Sequence, residues 1–213
     1  MIIKLVIVGI TNMKEDRICI SGYDINNNRF LRPLLPHSHI TTDFLTRFNE
    51  SIHLGSLVNI ELVSSPKINN KPHCEDVEIN PDSVKVIGKM VQRKYKEFLI
   101  SISDDSIEGI YGEDLELLNG QPVLPEDSGV RSLGVIVCRK CSVYHNHLGR
   151  TRCGVTDKSG AEYRNIPVVS RDEWARPLGE FVNVPLRMGL SRLWKKEGME
   201  ESFYWVHVSA IVV

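Results

Sequence analysis

A mainly β protein of two tandem five-stranded barrels, with short helices and an acidic connector between them, is what this 213-residue sequence predicts. Three observations lead there. The order strand, loop, strand, tight turn, strand occurs twice, over Ile2–Leu35 and again over Arg131–Val169. Each copy is followed by a short helix-like segment and at least one further strand. Between the copies lies a stretch rich in acidic residues, Gly and Pro, the composition of a linker.

The first copy opens on Ile2–Ile10, a continuous apolar run too short for a confident helix and suited to a strand buried on both faces. Arg17–Tyr23 alternates, with Ile18 and Ile20 on one side, and Asn26-Asn27-Asn28 is a turn because Asn tolerates positive φ. Arg29–Leu35 is the third strand, closed by Pro33 and Pro36. Thr42-Asp43 begins a short helix over Phe44–Phe48, Gly55–Ser64 alternates as a strand, and Ser65–Glu78 is a polar loop before a strand at Ser83–Ile87. Val91, Tyr95, Phe98 and Leu99 stand at helical spacing, which predicts a helix over Lys89–Leu99.

Asp104–Asp127 reads as a solvated connector carrying one short helix at Glu113–Leu118, so the chain divides into a first unit over residues 1–125 and a second over 126–213. In the second unit, Ser132–Tyr144, Arg150–Thr156 and Ala161–Val169 form a meander, with Asp157-Lys158-Ser159-Gly160 turning between the last two. Arg171–Phe181 is ambiguous, Asn183–Leu190 is a strand, and Phe203–Val213 alternates strictly as the closing strand. That strand order suits a five-stranded OB-like barrel, whose closure removes exposed sheet edges. A single large sandwich is the alternative, and it requires burying the acidic stretch at high cost.

Composition narrows the function. Hydrophobic residues make up 42% and charged residues 25%, as in an ordinary globular protein. No apolar run approaches the roughly 18 residues of a membrane helix, and Met1–Ile10 lacks the features of a secretory signal, so a cytoplasmic protein without membrane partners is expected. Five cysteines at irregular spacing do not make a disulfide framework. The formal net charge of −1 argues against coating duplex DNA by bulk charge. Its distribution is uneven: ten cations against ten anions in residues 1–90, three against nine in 91–129, and thirteen against eight in 130–213, nine of those thirteen being Arg. The planar fork of Arg suits phosphate.

Arg150, Arg152 and Arg164, with Tyr163 beside them, fall on neighbouring strands of the second meander and form a candidate surface for phosphates and stacked bases. Arg32 before Pro33, and Arg187 and Arg192 around Gly189, are candidate ligand contacts, since an Arg among apolar neighbours is costly unless an anion meets it. The competing reading gives Arg32 an internal salt bridge to Glu75 or Asp76. Cys138, Cys141, His145, His147 and Cys153 are the residues most like a zinc set, but a strand through Cys138–Cys141 would point the two thiols apart. His37, His39 and His53 with Asp43 or Glu75 are the types that a hydrolytic centre uses, without a motif that fixes them in space.

Thr11-Asn12-Met13-Lys14, Arg17-Ile18-Cys19-Ile20-Ser21-Gly22 and Arg29-Phe30-Leu31-Arg32-Pro33 resemble the opening of the prokaryotic dual OB-containing domain family. Pro72-His73-Cys74-Glu75-Asp76 is similar to its acidic segment, and Pro185–Arg192 to its Leu-x-x-Gly-Leu-x-Arg turn. Phe30 stands where that family usually has Trp, which weakens a stacking role there. The resemblance covers nearly the whole chain. It implies tandem OB folds that bind nucleic acid or a nucleotide, often in bacterial defence systems, and it adds Lys14, Arg17 and Arg29 to the ligand-binding candidates.

The expected function is therefore a non-catalytic module that recognises single-stranded nucleic acid or a nucleotide through Arg and aromatic residues, without a cofactor. Two alternatives stay open: an adaptor subunit that docks on an effector protein, and a metal-dependent nuclease using the Cys/His set.

Overall fold

A computed structural model describes residues 1–48, 52–67 and 69–213. The first half is a closed barrel built from β1 (Ile2–Asn12), β2 (Ile18–Asp24), β3 (Arg29–Leu34), β4 (Ser56–Leu62) and β5 (Asp76–Lys89), in the order β1-β2-β3-β5-β4. The helix α1 (Thr42–Thr46) lies between β3 and β4. Closure comes from a parallel pairing of β3 with the start of β5, Arg32 opposite Asp76 and Leu34 opposite Glu78. β5 is far longer than the expected Ser83–Ile87. Asn80-Pro81-Asp82 breaks its alternation as a turn would, but a register shift against β4 between Asn59 and Glu61 absorbs the irregularity and the strand continues.

After the barrel comes α2 (Gln92–Ser101), which buries Tyr95 and Leu99, the helix that the spacing predicts. The acidic stretch then departs from expectation. It is not a solvated connector: α3 (Ile107–Tyr111) buries Ile107, Ile110 and Tyr111, and β6 (Glu116–Leu118) and β7 (Gln121–Pro125) form a hairpin that pairs with β14 (Phe203–Ile211). The charges face out while every third or fourth residue is apolar, so the segment's net charge concealed a buried face. Buried Asp157 accepts from the backbone N–H of Ile107 at 3.1 Å and fastens α3 to the second half.

The second half contains β8 (Leu133–Val137), β9 (Lys140–His145), β10 (Thr151–Thr156), β11 (Glu162–Pro167), β12 (Gly179–Val182) and β13 (Pro185–Leu190) as well. Its strands are hydrogen-bonded as two sheets, β6-β7-β14-β13-β8 and β11-β10-β9-β12, over one shared core that includes Ile136, Val143, Val155, Met188 and Val208. A parallel bridge between Val168 and Val208 joins them. The single strand expected over Ser132–Tyr144 breaks at Cys138-Arg139 and feeds both sheets. β14 is buried along almost its whole length instead of on one face, because it lies between this core and the first barrel, where Ala210 and Val212 join the barrel's core. Bridging of Thr11 to Ser170 and donation from the Arg171 N–H to the Ile10 carbonyl tie the halves together. Among the described residues no helix is long and apolar enough to cross a membrane.

Candidate functional site

A cavity of about 920 Å³ opens between the halves, at the upper end of the range for small-molecule sites. The first half lines it with the end of β1, the β1–β2 turn, β2, and the run Arg32–Ile40; the second half contributes Leu133, Val169, Arg187, Leu190–Trp194, His207 and Ser209. Arg17, Arg32 and the pair Arg187 and Arg192 are therefore brought together from three separate parts of the sequence.

Two of these arginines are buried, in opposite circumstances. Arg32 Nη1 donates to Asp76 Oδ1 and His73 Nδ1, both at 2.8 Å, and Nη2 donates to Ser132 Oγ at 2.8 Å. Burial works against its charge, yet Cys19, Asp76 and Glu75 hold it above its ordinary value. Asp76 also accepts from Arg192 Nη2 at 2.8 Å, and Glu75 accepts from the Ser132 N–H and hydroxyl and the Leu133 N–H, so this polar cluster joins the halves. His73 receives a bond on Nδ1 and must donate from Nε2 to the Ser191 carbonyl, 3.1 Å away. Burial, with Arg32 and Arg192 alongside, pushes it down to about 3.

Arg187 is 1% exposed, and its one side-chain hydrogen bond is from Nη2 to Ser21 Oγ at 2.7 Å. Among the described residues Nε and Nη1 have no partner, and no carboxylate lies within bridging distance. Burial pulls it down to about 10. Two glycines make room for it: a Cβ on Gly189 would come within 2.7 Å of His207 Nε2 and 3.4 Å of Arg187 Nη1, and one on Gly9 within 2.5 Å of Ser21 Oγ. His207 is pushed down to about 3 by burial, then by Arg187 and Arg32. The deep end of the cavity is thus a fixed guanidinium beside a neutral imidazole.

The other candidates lie elsewhere. Lys14 is exposed in the β1–β2 turn next to the rim, and Arg17 on the rim pairs with Glu15. Arg29 stands 3.5 Å from buried Asp24 at the β2–β3 turn, away from the cavity. Arg152 and Arg164 are on the four-stranded sheet, where Arg164 has Glu162 at 3.6 Å, and Arg150 stands in the loop just before β10. Tyr163 is a correction: opposite Val155 it points into the core, so it is not a surface stacking residue. A bulge between Cys153 and Val155 shifts the register, and Arg164 remains outside.

The Cys/His set is not assembled as a unit. Because the chain breaks between β8 and β9, Cys138 and Cys141 both turn inward instead of diverging, in a buried row with Cys153, and their mutual contacts and burial push Cys138 far up. His145 and His147 are exposed, and among the described residues no group of three His, Cys, Asp or Glu side chains is placed to hold a metal.

His207, Trp194, Ser21 and Gly9 were not read as site residues. Gly9, alone inside an apolar strand, carried a signal of close backbone approach; the other three carried none, since their neighbours come from remote sequence.

A family model described as the dual OB-containing domain matches residues 3–211. The chain belongs to that family. No curated protein matches it. Among solved structures, this dual OB-containing protein is similar to one described as the tetrameric p202 HIN2, at 11% identity and TM-score 0.32, over 96% of this chain and 90% of that one. It is also similar to a murine DNA binding protein bound with double-stranded DNA, at 11% identity and TM-score 0.30, over 97% and 98%.

Proposed function

We propose that this dual OB-containing protein is a non-catalytic module that binds single-stranded nucleic acid or a nucleotide in the cavity between its halves. The observation that carries the reading is Arg187, a buried guanidinium with two unpartnered nitrogens and no carboxylate beside it. An uncompensated buried cation is costly, and an anion entering the cavity relieves that cost. Arg17, Arg32 and Arg192 add positive charge around the same space, and Trp194, 47% exposed, offers a ring on which a base can stack. The reading includes the setting implied by the family resemblance, a prokaryotic defence system, and separately an effector protein as candidate partner, for both of which mass spectrometry of material purified from the native host is the check.

Calorimetric titration with a nucleoside monophosphate and with an eight-nucleotide single strand tests the binding. The expected result is saturable binding of at least one of them, weakening with salt in proportion to the phosphates contacted, and its loss in Arg187→Met. Failure of both to bind at low salt overturns the proposal.

A further inference from the structure

Resting on that reading, we infer that the cavity recognises a strand end: it takes the terminal phosphomonoester of a single-stranded nucleic acid, and the strand leaves over Trp194 towards Lys196, Arg164 and Arg152.

The number of acceptor oxygens favours an end over an internal phosphate. Of the four guanidiniums lining the cavity, Arg17 has Glu15, Arg32 and Arg192 share Asp76, and Arg187 has none. The remaining carboxylate nearby, Glu75, accepts from Ser132 and Leu133, and its charge also acts on Arg32. Four cations thus face three carboxylates, and among the described residues Arg187 is left with free N–H groups on both Nε and Nη1. A phosphodiester inside a strand brings one negative charge, whereas a terminal phosphomonoester brings close to two near neutral pH and three acceptor oxygens.

Shape favours it too. Around Arg187, itself 1% exposed, the cavity ends against Ser21 and Ser209, and behind them Gly9 is packed so tightly that a single added carbon would overlap Ser21 Oγ at 2.5 Å and press on Ser209 Oγ at 3.2 Å. An internal phosphate has chain on both sides and needs a groove open at both ends. A closed end admits a terminus.

From the mouth outward, successive contacts trace a path. The Trp194 ring lies 5.6 Å from that of Trp205, and Lys196 Nζ stands 3.3 Å from the centroid of the Trp205 ring. Lys196 Nζ also donates to Gln121 Oε1 at 3.0 Å. The neighbouring Gly120 accepts from the Arg164 N–H at 2.7 Å, and the Arg164 stem lies across it. β11, which carries Arg164, pairs with β10, which carries Arg152. One exposed indole followed by a file of cations is how a strand is held without reading its sequence.

Fluorescence anisotropy decides, using one eight-nucleotide sequence with a 5′-phosphate, a 3′-phosphate, or hydroxyls at both ends, the dye being on the end not under test, with a nucleoside monophosphate as competitor. The expected result is that one phosphorylated end binds about tenfold tighter than the hydroxyl-ended strand, the scale of a charged hydrogen bond. Arg187→Met removes that difference, and the double variant Arg152→Ala, Arg164→Ala weakens the oligonucleotide while leaving the monophosphate unaffected. Equal affinity for all three strands overturns the end-recognition inference and leaves nucleic-acid binding standing. A monophosphate that binds as tightly as the phosphorylated strand overturns the path. If nothing binds, this inference and the proposed function fall together. The comparison of end groups is made on the unaltered protein, so a variant that fails to fold does not protect the idea.

Discussion

Arg32 and Arg187 are two buried arginines, one from each half, facing the same cavity. Arg32 is surrounded by Asp76, His73 and Ser132 and is held above its ordinary pKa; Arg187 has one serine hydroxyl and is pulled down to about 10. The same side chain serves two purposes. Where partners are complete, an arginine ties parts of a fold together; where they are missing at the end of a cavity, the fold keeps a charge that a ligand can meet. The candidate salt bridge from Arg32 to Asp76, one of the two readings open from sequence, is the one observed.

The comparison is broken or sharpened most directly at the acid that serves Arg32. Asp76→Asn leaves both Arg32 and Arg192 facing a neutral amide, and urea denaturation should show a loss of about 3–5 kcal/mol, the cost of stripping one partner from a buried pair. Arg187→Met should change stability by less than about 1 kcal/mol or raise it, because it removes a charge that nothing compensates. Equal losses from the two variants would mean that Arg187 is structural as well.

Next in size is Gly189→Ala. Its Cβ would meet His207 Nε2 at 2.7 Å and Cε1 at 3.1 Å, and Arg187 Nη1 at 3.4 Å. A loss of about 1–3 kcal/mol is expected in the same denaturation experiment, as for overpacking in a core. No loss would show that the deep end of the cavity is loose.

The smallest effect per step is in pH. His73 and His207 are both neutral in the fold down to about 3, against an ordinary value of 6.5. Below pH 6.5 the unfolded chain binds protons that the folded chain does not, so stability falls as pH drops from 6.5 towards 3 and is insensitive to these groups above it. Each contributes about 1.4 kcal/mol per pH unit within that window. Denaturation between pH 7.5 and 4.5 should show the slope, and His73→Gln and His207→Gln should each remove one proton from it. A slope untouched by either variant would place both imidazoles in contact with water.

How much of this could be read in advance differs by scale. Local signals were reliable: the apolar run at the start of β1, the Asn26–Asn28 turn and the Tyr95/Leu99 spacing of α2 each became the element that they suggest, because propensity and burial agreed there. The strands carrying Arg152 and Arg164 also lie where the alternation puts them, although Arg150 falls just outside β10. What failed was inference from charge about burial. Asp104–Asp127 supplied a buried helix and a hairpin because a few apolar side chains at the right spacing outweigh many acids that can face water.

By itself, then, the sequence determined a β-rich fold, most strand positions, and membership of a tandem-OB family through short motifs around Arg32-Pro33 and Gly189. Only the tertiary structure decided which arginines share a site. Arg17, Arg32, Arg187 and Arg192 are separated by up to 175 positions and meet because β14 packs against β1 of the first barrel and β13 against α2. Only the tertiary structure decided, too, that Tyr163 faces the core and that Arg32 is paired while Arg187 is not. Strand alternation tells which residues share a face, but a bulge reverses it locally, and the partners of a buried charge come from whatever remote segment the packing brings alongside.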